Sequence, residues 1–115
     1  MSDLPITKPI YRTEDHELVG AIISKDSLWI PCTVFGYPLA SAMPEDDAAR
    51  FLESRGLELL LDGWQFKDDD GEWYNCVIVE AKPELVTVKI SDYGHPDAHQ
   101  IVTIKKPDEH SIRRL

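Results

Sequence analysis

The feature that most constrains this chain is a series of short β-forming runs, each closed by turn residues, that fills its second half. Residues 57–61, 64–67, 73–79, 85–91 and 100–104 are rich in aliphatic, aromatic and β-branched side chains. In the run 85–91, Val86, Val88 and Ile90 alternate with Thr87, Lys89 and Ser91. That is the pattern of an antiparallel strand with one buried and one wet face. Residues 18–23 and 28–35 read as an earlier hairpin turning at Lys25-Asp26-Ser27. Pro31 cannot donate to a ladder and so places the second of these strands at an edge or a bulge.

One segment breaks the β pattern. Pro44 followed by Glu45, Asp46 and Asp47 suits a helix start, because carboxylates are favoured at the positive end of the helix dipole. Ala48, Phe51, Leu52 and Arg55 keep helical spacing and Gly56 is a natural stop, so the helix is predicted over 44–55. The order β-β-α followed by a β-meander predicts an α+β fold: one helix on a twisted antiparallel sheet, with a barrel-like closure as the variant. A chain of 115 residues fits a single domain spanning 1–115. Residues 1–15 read as an extended lead-in and 106–115 as a tail or final turn.

Charge narrows the partners. Asp and Glu outnumber Lys and Arg by 21 to 12, a net −9, which disfavours nucleic acid. Lys105, Lys106, Arg113 and Arg114 against Asp108 and Glu109 give residues 105–115 a net +2, leaving −11 on residues 1–104. The acidic clusters at 14–17, 45–47 and 68–72 read as solvated turns and a helix start, or as a surface that attracts a basic protein partner. No apolar run approaches the ~20 residues that span a bilayer, and the N-terminus lacks a secretory pattern. A cytoplasmic protein without membrane attachment is the expectation, with a mature secreted form as the alternative; oligomeric state is not legible.

The frame Asp-x-x-Trp-x-x-Cys occurs at 26–32 and again at 70–76, using both cysteines. Residues three apart on a strand point to opposite sides, so Trp29 and Cys32, like Trp73 and Cys76, do not share a site unless a bulge intervenes. Two cysteines at this spacing are too few for structural zinc. They read as buried free thiols, with a disulfide as the alternative. No cofactor is implied.

Asp92, His95, Asp97 and His99 lie within eight residues and supply oxygen and nitrogen donors suited to a divalent metal. The competing reading is a polar turn between two strands, since Gly94 and Pro96 oppose a regular helix. A histidine there also has the chemistry of a general base. No nucleophile, oxyanion donor or phosphate loop is recognisable, so an enzyme is not the expectation and no catalytic residue is assigned. The run 68–72 reads as a hairpin turn.

The segment D-G-E-W-Y-N-C-V-I-V, followed by V-T-V-K-I-S-D-Y-G-H, resembles the centre of a Tudor domain over residues 70–95. The resemblance implies an aromatic cage for methylated lysine or arginine, with Trp73 or Tyr74 and Tyr93 as walls. Ile90 stands where that family usually has an aromatic, and His95 replaces its Asn. Three functions follow as expectations: a non-enzymatic protein-binding or regulatory module, an aromatic-cage binder using Trp73, Tyr74 and Tyr93, and a metal-dependent protein using the 92–99 loop.

Overall fold

The computed structural model describes residues 5–115. Two compact units divide the chain, the first ending at Leu59 and the second beginning at Leu60. The fold is α+β, with two antiparallel sheets and one helix. Neither sheet closes into a barrel, since the two end strands of each strand order do not pair with each other.

The first unit holds a three-stranded sheet of β1 (Thr7–Tyr11), β2 (Leu18–Lys25) and β3 (Leu28–Cys32), in that order, followed by α1 (Glu45–Leu60). The expected lead-in therefore contains a strand: Thr7 to Tyr11 pair with β2, and residues 1–4 lie outside the described residues. Asp26 and Ser27 both have positive φ, 49° and 69°. This is the sign pattern of the two-residue turn whose twist matches paired strands. Pro31 sits on the edge strand β3, as expected, and its carbonyl accepts the Leu39 N–H at 2.8 Å.

Helix α1 starts where its carboxylates predict, with Glu45, Asp46 and Asp47 in the first turn, but it runs past Gly56 to Leu60. Residues 57–61, expected as a strand, are its last turn and the residue beyond. The buried stripe is Ala48, Leu52, Gly56 and Leu59, a helical rather than an alternating period. Gly56 does not stop the helix because it answers to packing: a Cβ there would collide with the Val19 carbonyl oxygen of β2.

The second unit is a five-stranded sheet in the order β7-β6-β5-β4-β8, comprising β4 (Trp64–Lys67), β5 (Trp73–Lys82), β6 (Leu85–Ile90), β7 (Ile101–Lys105) and β8 (Ile112–Arg114). All its pairs are antiparallel. The supposed tail carries β8, which Ile112 anchors by complete burial against its pairing partner Phe66. One face collects Trp64, Phe66, Cys76, Val86, Val88, Ile90 and Ile112, all at 1% exposure or less. Burying such side chains stabilises by about 1.5–3 kcal/mol each. The intervening residues form the opposite face, which is open.

Candidate functional site

The β4–β5 turn and the 91–100 loop are the chemically densest part of the second unit. Residues 68–72 form a tight hairpin turn, as the sequence predicts: Asp68 N–H donates to Glu72 C=O at 2.9 Å and Gly71 N–H returns to Asp68 C=O at 2.9 Å. Gly71 adopts φ 84°, a conformation natural to glycine. Asp70 accepts the Glu72 N–H at 2.8 Å and the Tyr74 hydroxyl at 2.7 Å. That hydroxyl bond to a carboxylate pushes the Tyr74 phenol up to about 12.

From the loop, His95 reaches back to this turn. Its Nε2 lies 2.5 Å from Asp68 Oδ2, and its Nδ1 accepts the Asp97 N–H at 2.9 Å. The accepted amide assigns the proton to Nε2, which donates to Asp68. The hydrogen bond from His95 lowers the Asp68 carboxyl below its ordinary range. The imidazole is buried and lies edge-on to the Tyr74 ring at 4.5 Å, with Phe66 at 6.1 Å. Asp92 is occupied in the same way: Oδ2 takes the Asn75 N–H at 3.1 Å and Oδ1 the Gly94 N–H at 2.9 Å, bonds that lower its pKa. His95 and Asp92 therefore clasp the loop to the β4–β5 turn and to β5, the work of a polar turn.

The expected metal set does not converge. Among the described residues no group of three or more His, Cys, Asp or Glu side chains is placed to hold an ion. Both ring nitrogens of His95 are engaged. His99, at φ 74°, has its ring 6.3 Å from that of Tyr93.

The three aromatic candidates are also dispersed. Tyr74 packs with Phe66 and His95, whereas its strand neighbour Trp73 points to the open face. Tyr93 is 90% exposed. The face of Trp73 is already covered by a cation of the chain itself, with the Arg113 guanidinium carbon 4.1 Å from the ring centroid. Arg113 Nε donates to Gln65 Oε1 at 2.8 Å, and Gln65 Nε2 donates to Asn75 Oδ1 at 2.9 Å. A polar row thus crosses β8, β4 and β5.

No protein-family model matches the chain, and no curated protein or solved structure matches it.

The less expected feature is the charge of the open face. Opposite the buried side chains, the strands present Lys67, Lys82, Lys89, Lys105 and Arg113 against one carboxylate, Glu80. Five cations less one anion make this face +4, which leaves −13 on the rest of a chain whose net charge is −9. Lys82 pairs with Glu80 at 3.0 Å. Lys67, Lys89 and Lys105 make no ion pair among the described residues. Exposed Val77 and Ile101 lie on either side of Lys89 in register. The signal was present in each strand's alternation, but assembling it needs the strand order.

The acidic clusters, by contrast, are largely used internally. Asp15 is held to Arg12 at 2.6 Å, and that bond brings its carboxyl down to about 2. Glu45 meets Lys8 at 2.6 Å and Asp47 meets Arg50 at 3.3 Å. In the 68–72 turn, Asp68 and Asp70 are tied to His95 and Tyr74.

Proposed function

We propose that the protein is a non-enzymatic binding module of the cytoplasm whose working surface is the open face of the second unit's sheet, and that its partner is a protein presenting an acidic strip. The observation that carries this reading is the segregation of charge: +4 on one sheet face of a chain that is −9 overall. Fields are screened over about 8 Å at physiological salt, so a docked partner senses this face more than the net charge. Polar Gln65, Asn75, Thr87 and Thr103 and apolar Trp73, Val77 and Ile101, with Lys89 among them and the other cations toward the ends of the face, suit a protein interface.

The reading moves the expected partner charge from basic to acidic, because the acidic clusters are engaged in turns, in the helix start and with neighbouring cations. An aromatic cage has weaker support, since Arg113 already lies on Trp73 and Tyr74 turns the other way. The buried free thiols Cys32 and Cys76 accord with a reducing compartment.

The test uses a ten-residue peptide of alternating valine and glutamate, with a valine-lysine peptide as control, titrated at low and physiological salt. The glutamate peptide is expected to bind in a salt-sensitive manner and the lysine peptide to bind weakly. The double variant K67E/K89E is expected to lower affinity about tenfold or more. Preference for the lysine peptide, or unchanged affinity in the double variant, refutes the assignment.

A further inference from the structure

Strand β7 is an outer strand of the second unit's sheet and pairs with β6 alone among the described strands. Its hydrogen-bond phase is fixed at both ends. Lys106 N–H donates to Glu84 C=O at 2.8 Å and Ile90 N–H donates to Gln100 C=O at 2.9 Å. In an antiparallel ladder bonded and non-bonded pairs alternate, so Val102 and Ile104 bond inward to β6. Ile101, Thr103 and Lys105 therefore turn their N–H and C=O groups outward, away from the sheet.

The side chains follow the same alternation. Ile101, Thr103 and Lys105 are exposed on the lysine-bearing face, and Ile101 is 56% exposed. Val102 and Ile104, on the buried face, are only half-covered, while their β6 partners Val88 and Val86 are at 0%. The apolar layer thus stops one row short of complete at β7. Beyond the strand's end lies an open groove of about 620 Å³ lined by Lys82, Pro83, Glu84, Leu85, Lys105 and Lys106.

We infer that the free edge of β7 is a strand-addition site for an extended segment of alternating acidic and apolar residues. Three outward backbone positions supply the ladder bonds. Apolar side chains of the added strand complete the row over Val102 and Ile104, and on the other face its carboxylates lie beside Lys105 and reach toward Lys89 across Ile101. This inference rests on the proposed function and specifies how the partner is held.

The experiment is amide hydrogen exchange on the full chain with the valine-glutamate peptide, together with fluorescence-anisotropy titration of wild type and T103P. Thr103 sends its N–H outward, so proline there removes a bond to the ligand and none within the sheet. Saturating peptide is expected to slow exchange at Ile101, Thr103 and Lys105 at least tenfold. T103P, with its far-UV circular dichroism unchanged, is expected to bind at least tenfold more weakly. A peptide of the same composition with its glutamates and valines segregated is expected to bind at least tenfold more weakly to wild type.

If T103P loses its fold, the exchange data on wild type decide alone. Unchanged exchange at the three amides overturns the inference, as does equal binding of the segregated peptide. Protection of those amides without peptide that rises with protein concentration also overturns it, because the edge would then be filled by a second copy. Binding lost in K67E/K89E but untouched by T103P removes the edge site and leaves the face reading intact. Binding weakened by T103P but untouched in K67E/K89E refutes the face reading itself.

Discussion

Replacing Gly56 by alanine separates two opposed expectations. In an exposed helix interior the change stabilises by about 0.8–1 kcal/mol, since glycine is the poorer helix former. Gly56 is buried within α1, however, and a Cβ built on it would fall closer to the Val19 carbonyl oxygen than the 3.0 Å that real Cβ atoms keep. The obstruction is backbone near the start of β2, with the Val19 Cβ also 3.4 Å away. A side chain can rotate aside, whereas this carbonyl moves only with its strand. Overpacking of this kind costs about 1–3 kcal/mol, and the rigidity of the obstacle places the cost at the upper end. Setting the propensity gain against it leaves a net destabilisation of about 1–2 kcal/mol. Urea unfolding followed by far-UV circular dichroism measures this directly. Ser54→Ala in the same helix is the control. Ser54 Oγ bonds back to the Arg50 carbonyl at 2.9 Å, and its removal is expected to be neutral or to stabilise by about 0.5 kcal/mol. A Gly56→Ala protein as stable as wild type, or more stable, refutes the close-approach argument.

Asp68→Ala leaves the buried Nε2–H of His95 without its acceptor and is expected to destabilise by about 1–3 kcal/mol in the same assay, with Asp68→Asn costing less because it keeps an acceptor oxygen. Burial pushes the Cys32 thiol up to about 11 and the Cys76 thiol up to about 12. Both should react with a disulfide reagent at mildly alkaline pH much more slowly in the folded than in the urea-unfolded protein. Because these folded values lie above the ordinary thiol value of 9.0, the thiols' contribution to stability is complete below pH 9 and is lost as the pH rises through about 11 to 12. A denaturation midpoint that rises over that window contradicts the assignment. Asp70→Asn should bring the Tyr74 phenol down from about 12 toward its ordinary value of 10.0, read by ultraviolet titration against the wild type.

Much of the fold was legible because period decides it. The alternation in β6, the acidic start of α1 and the turn at Asp68 to Glu72 each rest on local chemistry, and each appears where that chemistry puts it. The end of α1 was not legible, because Gly56 carries two meanings in sequence. It is a helix stop when its backbone turns left-handed and a contact point when another chain segment comes close, and only the position of Val19 distinguishes them. The strand β8 was hidden for a similar reason: three residues, Ile112–Arg114, gain their strand character from pairing with β4. At the 92–99 loop, residue types suggested metal ligands, but type alone does not reveal that the neighbouring amides of Asn75, Gly94 and Asp97 already occupy Asp92 and His95. The basic face was scattered through five strands, and the net charge of −9 pointed away from it.

Under the proposed function the open basic face, and not the acidic clusters, meets the partner. Backbone amide chemical-shift mapping with the valine-glutamate and valine-lysine peptides tests it most directly. Shifts from the glutamate peptide are expected to concentrate at Lys89, Ile101, Thr103 and Lys105, with Lys67 and Trp73 at the margin and little response to the lysine peptide. Shifts centred on residues 14–17 or 45–47, or a stronger response to the lysine peptide, would contradict it.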